Sequence, residues 1–300
     1  MKIGIAGTGR MGSAIALRLL ELDHEITVWN RTPEKTAVAA AAGAAVAPTP
    51  AALASACDRV ITIVTNAAAM EAVYTGKDGL LSGNVRGKLL IEMSTVRGDD
   101  HRALAPKVAA KEAVLIECPV SGTVKPAREG TLFGFAGGTP EAFTDAQPLL
   151  EQLCRRAELI GPMGSGANMK LAVNLLLAVF WQALAEACSL MHPVPIEPER
   201  LIDLFRDSSI GATILKARGA LVAAALEGKD TGAASFDIDF MRKDLRDMLQ
   251  EAKALGVSLP VAARTLKCFD EASRAAFGKI DGTQYPAWWI SHTEIEMEQA

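Results

Sequence analysis

The stretch "KIGIAGTGRMGSAIALRLL", Lys2 to Leu20, constrains the fold more than any other part of the chain. An isoleucine-rich run reads as a strand, glycines at 7, 9 and 12 follow in G-x-G-x-x-G spacing, and an Ala/Leu-rich run then reads as a helix. Gly7 permits a tight turn, Gly9 lets a pyrophosphate approach the backbone, and Gly12 allows the helix to pack closely on the strand while its N-terminus faces the anion. On its own the hexapeptide describes only a glycine turn. Here a strand precedes it, a helix follows it, and a second strand ends at Asn30, so the context predicts a dinucleotide cradle built from Gly7, Thr8, Gly9, Arg10, Met11 and Gly12.

The rest of the first half continues that rhythm. "EITVWN", "RVITIVT", "KLLIEMS", "AVLIECP", "LFGFAGG" and "AELIG" read as strands, with helical segments such as "PEKTAVAAAAG" between most of them. Alternation of this kind predicts right-handed crossovers and a doubly wound, mostly parallel sheet covered on both faces, a Rossmann-type α/β fold. After Gly166 the strand signal stops. A long helix from about Ala167 to Met191 ends at "HPVP", where proline cannot continue it, and helical runs follow near Glu199 to Asp207, Gly211 to Leu226, Asp239 to Leu255 and Pro260 to Phe277. The expected organisation is a dinucleotide-binding domain over 1–162, joined by the long helix to an all-α C-terminal domain over 163–300.

Composition narrows the classes. Half of the 300 residues are hydrophobic and 22% are charged, which gives a globular chain with ample core. A formal charge of −4 offers no general attraction to nucleic acid or anionic lipid. The five cysteines, 57, 118, 154, 188 and 268, are odd in number and widely spaced, as in a reduced, cytoplasmic chain. The opening strand starts within two residues of Met1, so no leader segment is expected. The apolar run "LAVNLLLAVFWQALA" spans 15 residues and contains Asn174 and Gln182, short and polar for a membrane span, and is expected to be a buried helix, between the domains or in an ordinary core. His24, His101, His192 and His292 have no carboxylate or cysteine partners at ligand spacing, so no metal is expected. "YPAWWI" reads as core or interface packing.

At the tip of the second strand, ~20 residues past the glycines, an acidic residue would hold a ribose 2′-hydroxyl. This chain has Asn30, Arg31 and Thr32 there, donors and a guanidinium that suit a 2′-phosphate. The expected cofactor is therefore NADP(H), with NAD(H) the lesser alternative; the competing reading makes Arg31 a solvated turn residue. The later strand ends bring Val64, Thr65, Asn66, Ser94 and Thr95 to the carboxyl edge of the sheet, as cofactor contacts or as helix caps.

Two further patches carry chemistry. "ECPVSGT" follows an apolar strand, and its Ser121, Gly122 and Thr123 can offer N–H groups and hydroxyls to a carboxylate, or form a polar turn. In "GPMGSGANMKLAVN" three glycines run into an apolar helix with Lys170 and Asn174 one turn apart on one face. A free lysine titrates near ~10.4; burial and a neighbouring positive nicotinamide would disfavour its charged form and fit it for proton transfer to a carbonyl. Asn174 can then orient the substrate oxygen or the amine. The competing reading places both on a surface.

Together "GIAGTGRMG", "ECPVSGT", "GPMGSGANMKLAVN" and "KDLRDM", which begins at Lys243, resemble the motifs of the β-hydroxyacid dehydrogenase family, the group of 3-hydroxyisobutyrate dehydrogenase and the glyoxylate/succinic semialdehyde reductases. The resemblance covers nearly the whole chain. It implies that Lys170 transfers the proton with support from Asn174, that Ser121, Gly122 and Thr123 bind the substrate carboxylate, and that Lys243 approaches cofactor or substrate with Phe236 and Asp239 on the same wall. It also implies homodimers or homotetramers acting on a small carboxylate-bearing substrate. Two departures stand out: Glu117 and Thr123 replace the family's aspartate and last glycine in the loop, and Arg97 replaces a proline. An extra cation at Arg97 favours a dicarboxylate or phosphonate-like anion, unless it faces solvent. Two rival readings remain: an imine reductase on the same fold, which generally lacks the lysine, and a non-catalytic NADP-binding module.

Overall fold

The computed structural model of the protein describes residues 1–208, 211 and 213–292. Nine strands form one sheet: β1 (Lys2–Ala6), β2 (Glu25–Trp29), β3 (Ala45–Val46), β4 (Arg59–Thr62), β5 (Leu89–Glu92), β6 (Val114–Glu117), β7 (Val120–Ser121), β8 (Leu132–Gly137) and β9 (Cys154–Gly161). All seven expected strands are present. The two-residue strands β3 and β7 were not expected, being too short to show a period. The spatial order is β3-β2-β1-β4-β5-β6-β8-β7, with β9 on β8. Every pairing is parallel except the two of β8 with β6 and β7. The first six places give the 3-2-1-4-5-6 order of doubly wound nucleotide-binding sheets.

Seven helices accompany these strands: α1 (Arg10–Glu21), α2 (Ala37–Ala41), α3 (Pro50–Ala56), α4 (Ala67–Thr75), α5 (Gly98–Ala109), α6 (Val124–Glu129) and α7 (Pro140–Leu153). Strand residues alternate between two apolar layers. Ile3, Ile5, Ile61, Ile91 and Ile116 pack on one side of the sheet with Ile15, Leu19 and Leu150, whereas Ala6, Val60, Leu90 and Leu115 pack on the other with Leu53, Met70 and Leu104. Burial on both faces makes these strands continuous apolar runs, which is why they were legible.

The chain divides into two compact units, Met1–Ala172 and Val173–Ala300. The division falls inside α8 (Ser165–Met191), later than the expected break after residue 162. Its cause is local: the first turns of α8 are bonded to the sheet through Gly164 and Gly166, so they go with the first unit. Among the described residues α8 is the one helix long and apolar enough to cross a membrane, yet Lys170, Asn174 and Gln182 on it are buried within the protein.

The second unit continues with α9 (Pro198–Asp207), α10 (Thr213–Leu226), α11 (Ile238–Ala254), α12 (Pro260–Ala272) and α13 (Tyr285–His292). Residue 212 of the expected run Gly211–Leu226, and residues 293–300 of the expected second domain, lie outside the described residues. The run expected as one helix from Pro260 to Phe277 leaves α-geometry at Ala272 and closes in a wide π-turn, Ser273–Phe277, with Ala276 left-handed at φ +67°. Ser273 Oγ donates to Asp239 Oδ1 at 2.8 Å and accepts from Arg242, which ties that turn to the start of α11. The "YPAWWI" segment is core: Tyr285 and Trp288 are buried, and Tyr285 meets Phe269 edge-on at 4.7 Å.

Asp281 is the polar hub of this unit. Its carboxylate, 3% exposed, accepts from Ser235 and Thr283 N–H and hydroxyl groups and lies 3.0 Å from the Arg218 guanidinium. Burial pushes its pKa up, but the Thr283 and Ser235 donors and Arg218 outweigh burial and hold it below the usual value. A depressed folded-state pKa stabilises above the unfolded value, near ~3.9, and the contribution fades as pH falls through the folded value. Asp281→Asn is expected to cost about 3–5 kcal/mol at neutral pH and to flatten the acid limb of stability below about pH 4, both read by denaturant unfolding from pH 3 to 7.

Candidate active site

The glycine turn takes the form its spacing requires. Gly7 is left-handed at φ +104°, and a Cβ there would overlap the Ile63 carbonyl oxygen. A Cβ on Gly12 would overlap the Gly7 carbonyl oxygen, so the two glycines lock α1 against the turn. Gly9 differs. It caps α1 in extended geometry, and a Cβ there would meet no atom within 4 Å, so the space over the turn is open to a ligand. Beside it Thr8 is 3% exposed, and its buried Oγ1 has no hydrogen-bond partner among the described residues. An orphaned hydroxyl, an open glycine and a helix N-terminus fit a dinucleotide pyrophosphate.

The flanking residues are placed as follows. Asn30 was expected to face the cofactor; its amide instead braces the turn, accepting the Thr8 N–H at 3.0 Å and donating to the Thr32 carbonyl at 2.9 Å. Arg10, Arg31 and Thr32 are exposed at the edge of the turn, whereas the Met11 side chain packs on the apolar core, which leaves its backbone for a ligand. Thr65 is exposed and Thr95 half-buried. Asn66 caps α4 by accepting from Ala69 N–H at 2.8 Å, the bland reading of that residue. Val64 N–H donates to Ser94 Oγ at 2.8 Å, and Ser94 N–H donates to Glu92 Oε1 at 2.7 Å. Burial pushes the Glu92 carboxyl up, partly offset by His101 and Ser94.

The anion loop and the start of α8 share one support. Ser121 pairs with Phe133 and Val120 with Gly134 on β8, and Gly122 turns left-handed at φ +129°. Gly166 lies against the Phe135 carbonyl oxygen, where a Cβ would overlap it, two residues along the same strand. The Thr123 hydroxyl makes no capping bond to α6 and is half-buried. Below them the buried Glu117, last residue of β6, accepts from Gly164 N–H at 2.6 Å and Gly166 N–H at 2.9 Å through Oε1. Lys170, one turn further along α8, is 8% exposed, which removes the surface reading. Arg97 is not a free cation over the loop: its guanidinium lies 2.6 Å from Asp99.

In the second unit Asn174 is also buried, and its amide donates to Asp244 Oδ2 at 2.6 Å. Asp244 Oδ1 takes Lys243 Nζ at 3.1 Å, and Asp247 takes the same amine at 2.9 Å. Burial pushes the Lys243 pKa down, but the two carboxylates outweigh it and raise it. Asp244, which bridges Asn174 and Lys243, was missed in the sequence; its only signal was its place in "KDLRDM". Asp239 was expected on the substrate wall; its carboxylate binds Arg242 at 2.8 Å, Lys279 at 3.1 Å and Ser273, a cluster that, against the upward push of burial, holds its pKa at about 2. Phe236 is half-buried, with its N–H directed to Asp281.

A glycine cradle at the first turn of a doubly wound sheet marks a dinucleotide-binding protein. Residues 2–161 match the model for the NAD binding domain of 6-phosphogluconate dehydrogenase, and residues 164–288 match that for the NAD-binding of NADP-dependent 3-hydroxyisobutyrate dehydrogenase. The chain is 30% identical to glyoxylate/succinic semialdehyde reductase 1 of Arabidopsis thaliana over 94% of its length and 96% of that protein's. It superposes on 3-hydroxyisobutyrate dehydrogenase from Salmonella typhimurium with a TM-score of 0.84 at 27% identity, covering 95% of this chain and 99% of that one. Psf3, solved in complex with NADP+ and 2-OPP, gives 0.84 at 28% identity over the same shares. The chain belongs to the β-hydroxyacid dehydrogenase family and is an NAD(P)-dependent dehydrogenase/reductase of hydroxy acids.

Proposed function

We propose that the protein uses NADP(H) to interconvert a small hydroxy acid and the corresponding semialdehyde or keto acid, with Lys170 as the general acid and base. The observation that carries this reading is the buried Lys170, one helical turn beyond a glycine seated on the strand that pairs with the Ser121 loop. When bound, the nicotinamide supplies or accepts the hydride. In reduction Lys170 gives its proton to the carbonyl oxygen, and in oxidation it takes that proton back. Ser121, Gly122 and Thr123 bind and orient the substrate carboxylate; Asn174, fixed by Asp244, steadies the reacting oxygen or the amine.

Exposed Arg31 at the end of β2, where a carboxylate would repel a 2′-phosphate, supports NADP(H) over NAD(H). The NADP+ bound to Psf3 is in keeping with it. Arg31→Ala is expected to weaken NADPH about tenfold and leave NADH unchanged, as a guanidinium on one phosphate contributes about 1.5–3 kcal/mol at most, and fluorescence titration reads both constants. Unchanged affinity for both cofactors would place Arg31 in solvent, and an equal loss for both would move it from the 2′-phosphate to a part they share.

The reaction class is tested by following NADPH absorbance with glyoxylate, succinic semialdehyde, 3-hydroxyisobutyrate in the reverse direction, and a cyclic imine. Turnover on the acids is the expected result. Turnover confined to the imine, or none on any compound despite cofactor binding, removes this reading.

A further inference from the structure

We infer that Glu117 is a positioning residue for the reaction: its carboxylate sets where Lys170 stands relative to the Ser121 loop, and His101 holds that carboxylate in place. This rests on the role of Lys170 proposed above. Glu117 is fully buried at the end of β6, four residues before Ser121. Its Oε1 takes both the Gly164 and Gly166 N–H groups, so one oxygen closes the turn from which α8 departs. Such charge-assisted bonds are about twice as strong as neutral ones, and two of them, from residues on either side of Ser165, fix both the position and the direction of the helix start.

The other oxygen is also engaged. His101, wholly buried on α5, brings Nδ1 to 2.7 Å from Glu117 Oε2. Burial pushes the His101 pKa down, yet Glu117, with Glu92 and Asp100 beyond it, outweighs burial and raises it. Space enforces the same placement: a Cβ on Gly137 of β8 would overlap Glu117 Oε1, and Gly164 borders Arg102 and the Gly98 carbonyl of α5. The side chain is thus walled by Gly137, held at Oε1 by two amides, and faced at Oε2 by His101 Nδ1 at 2.7 Å without hydrogen-bond alignment. Rotation about its terminal bond would surrender either the histidine or the two amides. The strand that launches the anion loop and the helix that carries the amine are joined by this one carboxylate.

The test compares Glu117→Gln and Glu117→Asp with the parent protein in steady-state kinetics, NADPH titration, and hydrogen exchange of the peptide spanning residues 161–171. Gln keeps size but loses charge and one acceptor; Asp keeps the charge and both acceptors on a side chain one methylene shorter. Expected for Glu117→Gln is a fall in kcat on the order of 10- to 100-fold with NADPH affinity unchanged, and faster exchange at residues 164–170. Glu117→Asp is expected to recover most of that loss. A Glu117→Gln kcat within about two-fold of the parent, or an equal loss in Glu117→Asp, overturns the inference. The exchange arm separates it from the proposed function: a parent protein inert on every acid sinks that function and the catalytic meaning of the tether, whereas unaltered exchange in Glu117→Gln sinks the tether itself.

Discussion

Lys170→Ala is expected to bind NADPH as the parent does and to turn over on the order of 10²- to 10⁴-fold more slowly, the usual worth of a positioned general acid or base. Cofactor affinity should be spared because the turn at Gly7 to Gly12, expected to hold the pyrophosphate, follows β1, four places from β8 in the sheet order. Truncating this buried side chain on an apolar helix leaves a modest cavity, so the variant should fold. Single-turnover measurement of NADPH oxidation isolates the chemical step. Near-parent rates would take Lys170 out of the mechanism while leaving the family membership intact.

The second large effect separates two glycines of one motif. Gly12→Ala drives a Cβ into the Gly7 carbonyl oxygen, an overlap between backbone segments that no rotamer can relieve. It is expected to cost about 1–3 kcal/mol or more of stability and to abolish cofactor binding as α1 is pushed off the turn. Gly9→Ala meets nothing within 4 Å in the protein and should melt with the parent. Its methyl nevertheless occupies the approach of the pyrophosphate, and NADPH affinity should fall on the order of 10- to 100-fold, the equivalent of a 1–3 kcal/mol steric penalty. Thermal melts with and without NADPH distinguish the pair. A Gly9→Ala variant with full affinity would move the pyrophosphate away from this turn.

What the sequence disclosed follows from how local each feature is. Strands buried on both faces read as unbroken apolar runs, so β1, β4, β5 and β6 were evident, and the glycine turn and α8 carry their own signals. Direction of a side chain is another matter. Spacing put Asn30 at the cofactor edge but could not say that its amide turns back to Thr8 and Thr32. The family resemblance alone placed Asp239 on a substrate wall, and spacing could not announce its bonds to Lys279 and Ser273, which lie far along the chain. Asp244 reaches Asn174 across 70 positions, and Glu117 meets His101 from a different element, so neither pair forms a motif. The unit break inside α8 was hidden for the same reason: a helix has one periodicity whichever neighbours its turns choose.

The common footing on β8 has a bearing on selectivity. Ser121 and Gly166 touch that strand at Phe133 and Phe135, and neighbours of this kind lie about 6.6 Å apart along an extended chain. On the proposed function the strand acts as a ruler, setting the separation of the Ser121 loop and the helix that carries Lys170 through its own backbone. On that proposal, a substrate with more carbons between its acid group and its reactive carbon is expected to fit poorly. Adapting this scaffold to such molecules would require rebuilding the turn around Gly122, because the gauge itself is backbone.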